Sequence, residues 1–285
     1  MIEYYNYLTT PSGKSFSLKE LRNREYLVLL KFLNGDNYKG FFKALDTLIK
    51  ESIDCFDTLD ICDKAYIYIA YYFYSVRGSI SLKGQKVDSI EVPLTIMLDS
   101  IENSYKKSHI TFKLNNYDVE IHYPTKLLFD DNESFIIDKF SALRSFGGNP
   151  IDDTALEQLR EVIPTKFINE IEYQTDKNFD TEIVINEAGP NSNKIVDNIL
   201  RPSMFYSIAF IYKDMLENFY NMQYLITHYI RVAWDSLLDM TPIETTILYK
   251  NFIDDKEKQN EKAKSSKSKY INVNDPNVAD TLMPY

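Results

Sequence analysis

The chain has 285 residues, and 42 acidic side chains against 32 Lys and Arg leave a formal charge of −10. Sequence-independent nucleic-acid binding needs clustered cations that displace phosphate counterions, so this balance argues against it. The 44% hydrophobic and 26% charged fractions are those of a folded chain of one large domain or two ordinary ones. Aromatic residues are abundant, with 22 Tyr, 17 Phe and 1 Trp, whereas glycine numbers only 8. Enzymes that cradle phosphates in tight turns spend more glycine than this, and composition leans towards packing and contact. The two cysteines, Cys55 and Cys62, and an opening (MIEYYNYLTT) without the features of a signal peptide point to a reducing cytosol. The longest apolar runs, from Ala65 to Tyr74 and from Met204 to Tyr212, fall short of the ~20 residues of a membrane span, so no membrane partner is expected.

Helical spacing begins at Ser17, where Ser17-x-x-Glu20 reads as a capping box before Leu18, Leu21, Tyr26, Leu29, Leu30 and Leu33. Asn34-Gly35 stops that helix, and a second covers Tyr38 to Ile53 with Phe41, Phe42, Leu45, Leu48 and Ile49 on one face. The run LDICDKAYIYIAYYFYSVRG favours strand by its Tyr and Ile content. Its length, the cap at Asp60 and the stop at Gly78 favour a buried helix instead, and we read it so. From Ser79 the period becomes two, through Ile80 and Leu82 and then Ile90, Val92, Leu94, Ile96 and Leu98. In ITFKLNNYDVEIHYP, Asn115-Asn116 suits a type I′ turn. That turn pairs Leu114 with Tyr117, Phe112 with Val119 and Ile110 with Ile121 on an apolar face, and Lys113 with Asp118, Thr111 with Glu120 and His109 with His122 on a polar one.

Beyond Pro124, helix is expected at Phe135 to Phe146, at Asp152 to Val162 and after Pro164, with a strand at Thr181 to Asn186 and a surface loop, EAGPNSN. Helix is expected again from Ser192, and Pro202-Ser203 opens the longest helical stretch, ending at Met240. Thr241-Pro242-Ile243-Glu244 is a capping box with proline at the first helical position. The last helix then runs into DDKEKQNEKAKSSKSK and YINVNDPNVADTLMPY, which carry too little apolar surface for a core. The expected class is α+β, mainly helical with a small antiparallel β insertion. Its regions are 1–78 (helical), 79–126 (β insertion with hairpin), 127–202 (helical with one short strand), 203–264 (helical) and 265–285 (tail).

Chemistry has few candidates. His109 and His122 face each other across the hairpin, but no third ligand is visible, and a solvated polar pair is the plainer reading. Cys55 and Cys62 are too far apart for a CxxC site and read as small buried hydrophobes. Carboxylate pairs such as Asp130-Asp131, Asp152-Asp153 and Asp254-Asp255 lack the apolar settings that split pKa values for acid–base work. Gly147-Gly148 beside Pro150 suits a helix–helix turn better than an anion cradle. No phosphate-loop, dinucleotide, zinc-protease or nucleophile-elbow motif is found, so no catalytic residue, cofactor or metal is assigned. The aromatic stretch from Phe205 to Tyr229 does not fit one helix face: Tyr206, Phe210, Tyr212, Phe219, Tyr220 and Tyr224 point around it. Such a helix is either the centre of its domain or covered in part by a partner. Those six aromatics are the candidate partner-binding residues, within a holding region from Ser203 to Asp254.

The order of segments resembles the T-even-type myophage baseplate hub family, which includes hub subunits and hub assembly factors. The likeness covers roughly residues 17 to 175. It is carried by the helix ending in Ser75-Val76-Arg77-Gly78, by IMLDSIE (Ile96 to Glu102), by His109-Ile110-Thr111-Phe112-Lys113-Leu114 and by Val119-Glu120-Ile121-His122-Tyr123-Pro124. Phe146, Leu159, Ile163-Pro164 and Ile171 continue the pattern. The paired cysteines that some relatives carry in the β insertion are missing, so no zinc ribbon is implied. The run Trp234 to Pro242 is similar to the helix pairs of phage tail-assembly proteins. The resemblance implies a non-enzymatic protein of a contractile tail, acting in the host cytoplasm as the baseplate hub is built. Its implied partners are hub subunits and the tape-measure protein. A chaperone that then leaves is favoured over a structural subunit kept in the virion, and a metal-dependent enzyme is the remote third reading.

Overall fold

In the computed structural model, which describes residues 5–82, 90–130, 134–179, 182–186 and 194–267, the chain opens with an antiparallel hairpin, β1 (Tyr5–Thr9) against β2 (Ser15–Lys19). Ser17 therefore lies in a strand and caps nothing. The segment Ser-Phe-Ser-Leu-Lys alternates polar and apolar residues, and that period of two overrides the chance helical spacing of Leu18 and Leu21. Helix α1 (Asn23–Asn34) starts after Arg22, whose backbone N–H is accepted by the Glu25 carboxylate at 2.7 Å. α2 (Tyr38–Lys50) follows, capped by the Asn37 side chain, which accepts from the Gly40 N–H.

α3 (Ile61–Ser75) is the buried helix expected, begun by the Asp60 carboxylate accepting from the Asp63 N–H at 2.9 Å. Twelve of its fifteen residues are buried. Strands β3 (Ser79–Leu82) and β4 (Ile90–Pro93) pair next, but the alternation ends there. Leu94, Ile96 and Leu98, expected to continue the strand, lie in α4 (Leu94–Ser104), where Leu94, Met97, Leu98 and Ile101 form the buried face at helical spacing. β5 (Ile110–Leu114) and β6 (Tyr117–Ile121) pair in the register derived from the sequence, Phe112 opposite Val119 and Ile110 opposite Ile121. Of the turn residues Asn115 takes the positive φ, 54°, and Asn116 does not, so the turn is not the type I′ expected.

β7 (Lys126–Phe129) pairs with β8 (Phe135–Asp138), and after a 3₁₀ turn β9 (Leu143–Phe146) joins β6 and the short β10 (Asn149–Pro150) in a sheet ordered β10-β9-β6-β5. The helix expected over Phe135 to Phe146 is thus two strands; Phe135 and Ile137 are buried and Ile136 exposed, a period of two. Gly147 and Gly148, at φ 60° and 81°, turn one strand into the next rather than joining helices. α5 (Asp153–Val162), capped by Asp152, and α6 (Thr165–Phe179), after Pro164, appear as expected. β11 (Glu182–Asn186) pairs with β12 (Lys194–Asn198), where helix from Ser192 was expected; the loop between them lies outside the described residues.

The long helix expected from Ser203 to Met240 is three helices: α7 (Pro202–Tyr212), α8 (Leu216–Leu225) and α9 (Trp234–Asp239). Lys213 is extended, and α8 restarts after Met215, whose N–H is accepted by the Asp214 carboxylate at 2.7 Å, with no side chain capping the helix. A π-turn over Ile226–Ile230 ends at Arg231, at φ 63°. The breaks send the aromatics that fit no single face to different surfaces. α10 (Pro242–Lys267) starts at the capping box, Thr241 N–H to the Glu244 carboxylate at 2.8 Å and Glu244 N–H to the Thr241 hydroxyl at 3.2 Å. It continues as an exposed helix through Asp254 to Lys262, whereas the final YINVNDPNVADTLMPY lies outside the described residues. The fold is mainly helical α+β with small antiparallel sheets.

One core cluster runs from Leu8 to Phe219 through every region named above except the last helices. Cys62 is within it; Cys55 is exposed, contrary to expectation. Tyr212, a candidate binding residue, is wholly buried: its hydroxyl donates to the Tyr68 carbonyl at 2.6 Å, and its ring meets Phe41 and Tyr72 edge-on at 5.2 and 4.9 Å. Tyr212→Ala should therefore lower stability by about 3–5 kcal/mol, the range for removing a large buried aromatic, and Tyr212→Phe by about 1 kcal/mol. Chemical denaturation of the two variants would measure both; a near-neutral Tyr212→Ala would contradict this packing.

Candidate interaction surface

The six candidate aromatics separate into two groups. Tyr212 and Phe219 belong to the core, and Tyr206 is half-buried, edge-on to Tyr38 at 5.2 Å and to Phe135 at 4.6 Å. Phe210, Tyr220 and Tyr224 face solvent, at 61%, 38% and 60% exposure. Tyr220 and Tyr224 are joined by aromatics that the sequence reading passed over. Tyr220 stacks on Trp234 (6.4 Å), Tyr224 on His228 (5.5 Å), and Tyr229 on Phe252 of α10 (5.6 Å), with His228 edge-on to Tyr229. Lys256 lies over the Phe252 ring at 5.6 Å. The missed signal was the break at Arg231, which folds Trp234 back beside Tyr220 and cannot be inferred from spacing along one helix.

A groove of about 510 Å3 separates α8 from α10, and none of the stacked rings lines it. Asn218, Met222 and Leu225 form one wall, Thr246 and Tyr249 the other, and Tyr26, Tyr72 and Val76 reach its floor. Arg77, Asp214 and Lys250 supply charges of both signs at its margin. α8 is lightly anchored, because its own buried residues are only Phe219 and Gln223. The Gln223 amide is buried without a hydrogen-bond partner among the described residues, an arrangement that costs about 1–3 kcal/mol. Nothing in this groove pairs a nucleophile with a base.

Titratable groups gather elsewhere, at the start of α3. Asp60 accepts from the Tyr105 hydroxyl at 2.8 Å as well as from the Asp63 N–H, and Asp63 accepts from the Ser12 hydroxyl at 2.6 Å and the Ser12 N–H at 3.1 Å. Burial raises the pKa of both carboxyls, and the charge of Asp60 raises Asp63 further. No sequence spacing pointed to this pair, since Asp60 reads as a simple cap. His109 and His122 do meet, with ring centroids 4.7 Å apart, but His122 is buried rather than solvated. His109 Nδ1 lies 2.7 Å from Glu120, His122 Nε2–H donates to the Lys106 carbonyl, and His122 Nδ1 lies 4.0 Å from the Asp60 carboxylate. Among the described residues no group of three or more His, Cys, Asp or Glu side chains is placed to hold a metal ion.

With the architecture in view, comparison with known families decides the kind of protein. The family model described as T4 bacteriophage base plate protein matches residues 2–201. The chain belongs to that family. No curated protein and no solved structure matches it. This base plate protein has a phage tail role, and none of its described helices is long and apolar enough to cross a membrane. The match covers β1 to β12 and ends at the residue before α7, so the stacked rings of α8 to α10 lie outside it, while the groove is lined from both sides of that boundary, by Tyr26, Tyr72, Val76 and Arg77 within the match and by residues of α8 and α10 beyond it.

Burial holds His122 neutral, lowering its pKa from 6.5 to about 4, with the neighbouring His109 adding to the effect. The unfolded chain takes up this proton below pH 6.5 and the folded chain only near pH 4, so the contribution to stability is complete above 6.5 and lost as pH falls through 4. Asp60 and Asp63 act with the opposite sign, favouring the folded state as acid protonates them. His122→Gln, which retains a donor for the Lys106 carbonyl, should flatten the decline of melting temperature between pH 6.5 and 4. An unchanged decline would show that His122 is not held neutral.

Proposed function

We propose that this base plate protein is a non-enzymatic assembly factor that holds an amphipathic helix of a hub subunit or tape-measure protein in the α8–α10 groove, in the host cytoplasm, while the baseplate hub is built. The observation that carries the reading is the pairwise stacking of exposed rings, Tyr220 on Trp234, Tyr224 on His228 and Tyr229 on Phe252, over α8 to α10, the helices that flank that groove. Exposed Tyr and Trp rings supply large contact area at low entropic cost and dominate interface hot spots. A groove between two helices takes the apolar face of a third. The light anchoring of α8 lets that wall adjust to its occupant. A formal charge of −10 keeps an aromatic surface of this kind soluble before it is covered.

A second reading, a structural subunit retained in the virion, is favoured by the family's description as a base plate protein. Mass spectrometry of purified virions separates the two: stoichiometric presence supports the subunit, and absence beside capture from infected cells supports the chaperone. Deleting the β insertion is no fair control, because Leu94, Met97, Ile101, Val119 and Ile121 within it are core residues. Surface substitutions are the better probe. Tyr224→Ala and Tyr229→Ala should each weaken capture of hub or tape-measure protein by about 1–3 kcal/mol with the melting temperature kept. Capture unaffected by both, with the fold intact, would move the binding site away from the stacked rings.

A further inference from the structure

A second surface has a chemistry opposite to that of the chain as a whole. A pocket of about 310 Å3 opens between the β1–β2 turn, the segment before α3, the α4–β5 connection and β9. Lys14, Lys107, His109, His122 and Arg144 line it, the remaining lining residues are four hydroxyl side chains, and no carboxylate lines it. Lys14 and Lys107 are exposed at the rim, and neither has an acidic side chain within 4.0 Å among the described residues. Several cations elsewhere are matched: Lys126 with Asp153 and Glu157, Lys139 with Asp176, Lys50 with Asp57.

Arg144 is held differently from those pairs. Its Nη1 donates to the Ser141 and Leu143 carbonyls and its Nη2 to the Tyr123 carbonyl, which fixes the guanidinium plane without supplying a bonded counter-charge. The nearby acids are engaged by other donors, Asp60 by Tyr105 and the Asp63 N–H, Asp63 by Ser12, and Glu120 by His109 and Ser145. Gathering like charges costs energy unless an anion joins them, and a fixed guanidinium between two mobile ammonium groups matches the planar, multidentate needs of an oxyanion.

We propose that this pocket binds one anionic oxygen group, a carboxylate or phosphate seated on Arg144 between Lys14 and Lys107. The site lies within the family-matched residues and does not depend on the α8–α10 groove. Two sources present that chemistry, an acidic segment of a protein partner and free phosphate, and titration calorimetry on the full chain at low salt distinguishes them. The probes are inorganic phosphate, a Glu-rich peptide and its Gln counterpart. Saturable binding of the Glu peptide without the Gln peptide identifies an acidic protein segment, and saturable binding of phosphate alone identifies a small anion. In either case the double variant Lys14→Ala/Lys107→Ala, altered only at exposed positions, should bind about tenfold more weakly or worse, the loss of a charge-assisted bond, at an unchanged melting temperature. No saturable binding of either anion, or binding that the double variant leaves intact, overturns the proposal.

Discussion

A helix buried on nearly every side can carry polar groups only if each finds a partner, and α3 carries many. This constraint organises the rest of the molecule. The Tyr68 hydroxyl donates to Asp46 of α2 at 2.5 Å, and the Ser75 hydroxyl accepts the Leu21 N–H ahead of α1 at 2.9 Å. Asp63 holds Ser12 of the N-terminal hairpin, Asp60 holds Tyr105 after α4, and the Ile61 N–H donates to the Pro124 carbonyl after β6. Lys64, buried enough that its pKa falls to about 8, donates to the carbonyls of Asp57 and Thr125. The Tyr68 carbonyl takes the hydroxyl of Tyr212 from α7. Each neighbouring element thus approaches α3 through a hydrogen bond as well as an apolar face. An unpaired group at any of these points would cost about 1–3 kcal/mol, so the contacts select one arrangement among the many that an aromatic-rich core permits.

The same constraint explains why the parts differ in firmness. α7 is tied to α3 through Tyr212 and joins the main cluster through Met204, Phe205, Ile208 and Ile211. The helices after it are tied mainly to α1: the Asn23 amide donates to the Leu237 carbonyl and the Thr245 hydroxyl, and the Asn23 N–H donates to the Met240 carbonyl. Ile226 and Leu237 are buried outside the main cluster. The family match ends before α7, so α7 belongs to the firm core although it lies beyond the match. A firm frame with lightly anchored helices carrying exposed aromatics lets those helices adjust to what they hold while the frame keeps its stability.

Where local and tertiary signals agreed, the fold was readable from the sequence. The hairpin register followed from one turn and two alternating faces, and the Asp60 and Thr241 caps were read at the residues that do the capping. The failures have a common physical cause, which is that period counting on short apolar segments does not say where one period yields to another. Ile90 to Leu98 changes from strand to helix at Pro93, and Phe135 to Phe146 is too short for helix and strand to be told apart by spacing. The breaks carry no glycine or proline to mark them: Lys213 is extended, and Arg231 is left-handed without being glycine. The resemblance to phage baseplate proteins, carried by short segments, pointed to the family that the longer match shows. The carboxylate pair at α3 was unreadable because its setting is made by Ser12 and Tyr105 from other elements, and the cations around Arg144 because Lys14, Lys107 and Arg144 come from three separate segments of the chain.

The two proposed surfaces would divide the work of recognition between them on physical grounds. Charge acts at a distance of about a Debye length and speeds encounter, while desolvated aromatic area acts at contact and sets how long a partner stays. On the proposed reading, the cationic pocket draws in an acidic segment against the repulsion of a chain of −10 charge, and the aromatic rings serve the slower step. These rings are already stacked in pairs, Tyr220 on Trp234 and Tyr229 on Phe252, so much of their rotamer freedom is surrendered before a partner arrives. Side chains ordered in advance lose less entropy on binding, by about 0.5–1.5 kcal/mol for each that would otherwise be immobilised. Stacking also hides part of each ring from water, which limits self-association of the free protein through the same surface. A surface built in this way is suited to a partner that must be held firmly and shielded, because the ordering cost has been met by the fold and not by the complex.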